Sequence, residues 1–211
     1  LCPIYLVEVL ADLERLPWEE VLRRHVAVLA PRLGAHLFHG LIRTAHAVRG
    51  LQAGADAAGL GELATALAAW HVWAAYDKTI GDVSDPSDAE PGEIVLDAAR
   101  RGAGVCAAKP SIITIHAVTA PMAFTLMAGL LAPDTTAAAA GAFSRTHARY
   151  PARPASDRSD RPAPDRLASL LDNWDAHPAK LSEAALRGFD ATGDGVFLDA
   201  MEAIVGPWTT S

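Results

Sequence analysis

The chain has 211 residues, 51% of them hydrophobic and only 6% aromatic, and carries a formal net charge of −7. That length suits one domain able to bury its own core, and the negative balance excludes a general nucleic-acid binder, whose affinity would rest on clustered Lys and Arg. Two cysteines, Cys2 and Cys106, exclude a disulfide framework and make a reducing, cytoplasmic setting the expectation.

Ala and Leu dominate while β-branched residues are sparse, so the fold class expected is all-α, a single-domain, bundle-like helical array over 1–211. The chain opens on Leu1 inside an apolar, helix-like run with no charged leader, and reads as a piece of something longer. Ile4 to Leu16 has the spacing of a helix with Leu6, Val9, Leu10, Leu13 and Leu16 as its apolar stripe. Pro17 suits the first turn of a second helix, with Glu19 and Glu20 near its positive end. That helix is expected to reach Leu33, bent at Pro31.

Ala35 to Arg49 reads A-H-L-F-H-G-L-I-R-T-A-H-A-V-R. Steps of three, four and seven place His36, His39, Arg43 and His46 on one face of a helix ending near Gly50. Taken singly, each histidine reads as an ordinary surface or hydrogen-bonded residue. Taken as a face, they read as a metal or proton-transfer wall, since neutral imidazole is the commonest metal ligand.

Glu62 to Tyr76 forms a further helix, in which His71 lies between Trp70 and Trp73 and reads as packed. Asp77 to Glu93 is an acidic, solvated loop. Ile94 to Arg101 is helical and runs into Gly102 and Gly104. Pro110 to Pro133 carries no Asp, Glu, Lys or Arg and is long enough to span a bilayer. Its Thr114, His116, Thr119 and Thr125 favour a buried core helix instead, bent just beyond His116 by Pro121. No membrane partner is expected. Residues 144–166 read as a mobile polar loop or lid, with His147 exposed in it. Leu167–Trp174, Pro178–Phe189 and Val196–Val205 are the last helical stretches.

Two patterns are decoys. Gly102-Ala-Gly-Val-Cys-Ala107 fits G-x-G-x-x-A but lacks the preceding strand and the later acidic residue. Asp190 to Gly195 resembles the opening of a calcium loop, yet Met201 stands where a bidentate Glu is needed. It reads as a turn that ends one helix and caps the next.

What remains is His39 with its face-mates, His116, and Asp175-Ala-His177-Pro178-Ala-Lys180. Pro178 at a first helical position would make His177 the N-cap and put Lys180 in the first turn, where a cation opposes the helix dipole. Read alone, Lys180 is an exposed lysine reaching into solvent. The alternative is a desolvated, neutral amine that adds carbon dioxide and becomes an anionic carbamate able to ligate a metal.

His39-G-L-I-R-T-A-H-A-V-Arg49, Trp18-E-E-V-L upstream, His116-A-V-T-A-Pro121 and His177-x-x-Lys180-L-x-E-A-A follow one another in an order that resembles the questin oxidase-like family. The resemblance covers roughly Trp18 to Val205, leaving out 144–166. It implies an oxygenase acting on anthraquinone-like aromatic polyketides with dioxygen, by ring cleavage or Baeyer–Villiger-type oxidation. It implies non-haem Fe(II) held by His39, His116, His177 and a carboxylated Lys180, with NADPH a candidate co-substrate. The family's fourth histidine belongs to a motif upstream of anything matched, and Pro178 departs from the aliphatic residue expected there. His36 and His46 are candidates to complete the set. His46 and Arg43 are candidates for proton transfer and for holding a phenolate. Two rivals stand beside this expectation: a zinc hydrolase using three histidines and a water, and a non-catalytic helical protein that binds the same ligand class.

Overall fold

The computed structural model describes residues 3–76, 89–161 and 176–208, with side chains up to 204. Every regular element among them is a helix, as the composition requires. These are α1 (Pro3–Leu13), α2 (Trp18–Leu29), α3 (His39–Ala53), α4 (Ala57–Tyr76), α5 (Pro91–Ala108), α6 (Ile112–Phe124), α7 (Pro133–His147), α8 (Ala176–Thr192) and α9 (Val196–Trp208). Short 3-10 turns occupy Ala30–Arg32, Ala35–Phe38 and Ala128–Leu130. Most of the acidic loop (77–88) and the helix expected over Leu167–Trp174 lie outside the described residues. The chain divides into two compact units, Leu1–Gly92 with Ala123–Thr146, and Glu93–Met122 with His147–Ser211. The chain therefore leaves each unit and re-enters it.

In the first unit α4 is the central rod, packed by α1, α2 and α3. Its Ala-rich surface lets several helices approach, and Leu63, Leu67 and Trp70 are buried on it. Gly40 makes one of these approaches: an added Cβ would lie 2.4 Å from Cβ of Trp70 and 2.8 Å from its Cα. Only glycine fits there. Of the apolar stripe expected on α1, Val9 is buried, Leu6, Leu13 and Leu16 are half-buried, and Leu10 alone is exposed. Tyr5 and Asp12 are buried beside Val9, because this face also meets His25 of α2. The helix expected to reach Leu33 with a bend at Pro31 stops sooner, and α2 gives way at Leu29 to the 3-10 turn that holds Pro31.

The second unit is built on α5, α6, α8 and α9, whose Ala103, Ile115, Leu181, Phe197 and Met201 interlock in one core. Full burial of a side chain such as Phe197 contributes about 2–3 kcal/mol. Cys106 lies in this core, and burial pushes its thiol up to about 11, where it is unreactive. α5 does not stop at its glycines. It runs through both, because Gly102 faces the Ala117 carbonyl of α6, with an added Cβ only 2.2 Å from that oxygen.

Pro121 sits inside α6. It cannot donate to the carbonyl four residues earlier, which belongs to Ala117. Nε2 of His147 donates to that oxygen at 3.0 Å. His147, expected to be exposed, is therefore buried, at 1% exposure. Ile112–Leu130 is long and apolar enough to cross a membrane, yet it breaks into α6 and a 3-10 turn and is 67% buried within the protein.

The polar stretch expected to be a mobile lid is anchored where it is described. Residues 144–147 complete α7, and 151–161 form an irregular strap. The Ser156 amide donates to Asp194 (3.1 Å), and the Gly195 amide donates to the Ser156 carbonyl (3.0 Å). Arg158 pairs with Glu202 (3.1 Å) and Asp199 (3.5 Å), and Arg161 pairs with Asp190. Asp194 also accepts from the Val196 amide at 3.0 Å, capping α9. Gly193 supplies the left-handed residue (φ 69°) that ends α8. The turn-and-cap reading of 190–195 holds.

Candidate functional site

In the first unit the expected helix over Ala35–Arg49 begins only at His39. His36, Leu37 and Phe38 have φ of 50°, 55° and 64°, three consecutive left-handed residues, none of them glycine. Each costs about 1–2 kcal/mol. Two contacts offset this strain. Phe38 is buried and stacks on Phe143 with centroids 5.9 Å apart. His39 Nδ1 donates to the His36 carbonyl at 2.6 Å, which leaves the lone pair of a neutral ring on Nε2. His36 does not share the helical face of His39. It is exposed and stacks on Trp73 of α4 (4.7 Å, 28°), with the His39 ring 5.1 Å away. Strain of this kind collects at functional positions.

Arg43, one turn on, forms a two-pronged pair with Glu62 of α4, Nε to Oε1 at 2.6 Å and a terminal nitrogen to Oε2 at 3.0 Å. The Glu62 hydrogen bond holds the guanidinium pKa above its ordinary value, and Arg43 holds the Glu62 carboxyl below its own. Its charge is thus committed to a carboxylate. His46 is half-buried a turn beyond Arg43.

The second unit brings two of the expected ligands together. His116 is buried (4% exposed) in the first turns of α6, and its Nδ1 donates to the Ile112 carbonyl at 2.6 Å. The His177 ring stands 5.6 Å from it, centroid to centroid, at 69°. Two imidazoles sharing one ion through metal–nitrogen bonds of about 2.1 Å keep their centroids about 4.5–6 Å apart, so this spacing fits. α8 begins at Ala176, which places His177 inside the first turn and not at the N-cap. Pro178 is buried there, a position where its missing N–H costs nothing. Lys180 is one turn beyond His177 and exposed.

Among the described residues no three His, Cys, Asp or Glu side chains gather into a metal-binding group. Two imidazoles of the expected set thus meet, with Lys180 on the same helix. His39, Arg43 and His46 belong to the first unit.

Sequence reasoning missed one cluster, also in the first unit. His25 of α2 is 3% exposed and bridges two residues of α1. Its Nδ1 lies 2.7 Å from the Tyr5 hydroxyl and its Nε2 lies 3.2 Å from Asp12 Oδ2. Asp12 also accepts from Arg15 (3.0 Å) and Arg24 (3.1 Å). His71, expected to be packed, stacks on the Tyr5 ring (3.9 Å, 14°). The available signal was the seven-residue spacing of Tyr5 and Asp12, which puts both on one helical face. No protein-family model matches the chain, and no curated protein or solved structure is similar to it.

Proposed function

We propose that the protein is a non-haem iron-dependent oxygenase that oxidises an aromatic polyketide of the anthraquinone class with dioxygen, within a questin oxidase-like lineage. The observation that carries this reading is the His116–His177 pair, a buried and a half-buried imidazole at ligand spacing, one of them oriented by a backbone carbonyl. Metal-binding histidines are habitually oriented this way through their second nitrogen.

His116 and His177 would hold the iron. Fe(II) bound by imidazoles and one carboxylate-like group supplies open positions for dioxygen. A carboxylated Lys180, on the same helix as His177, is the proposed carboxylate-like group.

Two observations favour a second reading, a binding protein for the same ligands without turnover. Lys180 is exposed, and the Arg43 charge is already paired.

The test is metal content by mass spectrometry on protein purified without chelator, beside His116→Ala and His177→Ala. Near-stoichiometric iron that the substitutions remove, with aerobic consumption of a hydroxyanthraquinone, supports the oxygenase. Zinc in its place moves the assignment to a hydrolase. No metal after anaerobic iron loading overturns it in favour of the binding protein.

A further inference from the structure

The enclosed chain Tyr5–His25–Asp12 has an order that decides where its protons sit. Asp12 is tied to Arg15 and Arg24 and accepts only, so His25 carries its proton on Nε2 and presents a lone pair at Nδ1. The Tyr5 hydroxyl must then donate to Nδ1, across 2.7 Å. Tyr5 is only 9% exposed, and its ring is covered on one side by His71. Substrate contact with this hydroxyl is therefore closed. Electron transfer needs no contact, and a neutral phenol loses an electron readily only if its proton has somewhere to go.

We infer that Tyr5 is a redox-active tyrosine, oxidised by one electron to a neutral phenoxyl radical as its proton moves to His25 Nδ1. The step balances. The electron passes to an outer-sphere one-electron oxidant, the O–H bond breaks, and the new N–H bond makes an imidazolium whose charge faces the Asp12 carboxylate. Reduction returns the proton along the same hydrogen bond.

Burial, reinforced by the nearby carboxylates of Glu8 and Asp12, pushes the phenol up to about 12. Prior loss of the proton to water is thereby disfavoured, which leaves transfer to His25 as the open route. Burial alone would raise the Asp12 carboxyl, but hydrogen bonds from His25 and Arg24 outweigh it and hold the group below its ordinary value. It is an anion when the imidazolium forms. A hydrogen-bond network with only a structural purpose would clamp α1 to α2 equally well, but it would not couple an electron to a proton.

The experiment uses iron-free protein, so its failure is separate from any failure of the metal assignment. The chain has three tyrosines. A Tyr76→Phe/Tyr150→Phe background carrying ring-deuterated tyrosine leaves Tyr5 as the only source of a tyrosyl electron paramagnetic resonance signal. Flash photolysis with a ruthenium polypyridyl sensitiser and a sacrificial acceptor supplies the oxidant.

The expected result is a tyrosyl radical that outlives the one formed on Tyr76 in a Tyr5→Phe/Tyr150→Phe protein by roughly tenfold, and that forms more slowly in deuterium oxide. His25→Gln should slow its formation about tenfold, the worth of one hydrogen bond to a group that becomes charged. Absence of a Tyr5 radical, or a rate indifferent to both deuterium and His25→Gln, overturns the inference. The isotope measurement needs no change at His25, and Asp12→Asn provides a second, milder substitution. Either keeps the test decisive if His25→Gln does not fold.

Discussion

Replacing His147 by alanine removes the donor that satisfies the Ala117 carbonyl, an acceptor that Pro121 has deprived of its helical partner. A buried carbonyl left unpaired costs about 1–3 kcal/mol, and the space left by an imidazole that was 1% exposed adds a cavity cost. Together about 2–4 kcal/mol is expected, a large share of a typical domain's stability. The logic is checked by a second substitution. Pro121→Ala restores an N–H four residues after Ala117, so the helix can satisfy the carbonyl without His147. Urea unfolding followed by far-ultraviolet circular dichroism on wild type, both single variants and the double variant closes a thermodynamic cycle. The double variant should be about 1–2 kcal/mol more stable than the sum of the single effects. His147→Gln, which keeps an N–H donor, should recover part of the loss. Additivity within about 0.5 kcal/mol would refute the claim that His147 and Pro121 act on one carbonyl.

Gly40→Ala drives a methyl into Trp70, 2.4 Å from its Cβ. It should destabilise by about 1–3 kcal/mol despite alanine's better helix propensity, read as a lowered thermal midpoint. Asp194→Ala removes the α9 cap and the anchor of the strap together. A loss of about 1–2 kcal/mol is expected, with faster tryptic cleavage at Arg158, which precedes Ser159. The Asp12 carboxyl has a lowered pKa in the folded protein, so the unfolded chain takes up the proton first as pH falls. Its contribution is full above the ordinary carboxylate value of about 3.9 and is lost as pH falls through the folded value. Acid titration should show this limb flattened in Asp12→Asn. At the other extreme the Tyr5 phenol is raised to about 12, so its contribution is full below the ordinary tyrosine value of about 10 and is lost as pH rises through the folded one. Ultraviolet titration of the Tyr76→Phe/Tyr150→Phe protein should place Tyr5 ionisation at about 12, coincident with alkaline unfolding.

Local chemistry was enough to read several features from the chain. Composition required helices, and Gly193 with Asp194 marked a stop and a cap, because each acts on its own neighbours in sequence. Periodicity failed at Ala35–Phe38. A helical repeat placed His36 beside His39, but the backbone turns left-handed over three residues while Phe38 is buried against Phe143. On α1 periodicity found Val9 but not the polar part of the buried face, since a pattern cannot foresee that Tyr5 and Asp12 will find His25 twenty and thirteen residues away. Polarity misjudged the 151–161 strap for the same reason. Its arginines look solvated until α8 and α9 bring Asp190, Asp199 and Glu202 to them. Of the candidate site, the residue types and the motif spacing were legible. The meeting of His116 with His177 and the pairing of Arg43 with Glu62 were not. By itself the sequence determined which segments coil and, at Gly193 and Asp194, where one stops and the next is capped, since caps and propensities act within a turn or two. Tertiary structure alone decided which polar groups are buried and paired, because a hydrogen bond's partner lies wherever packing brings it.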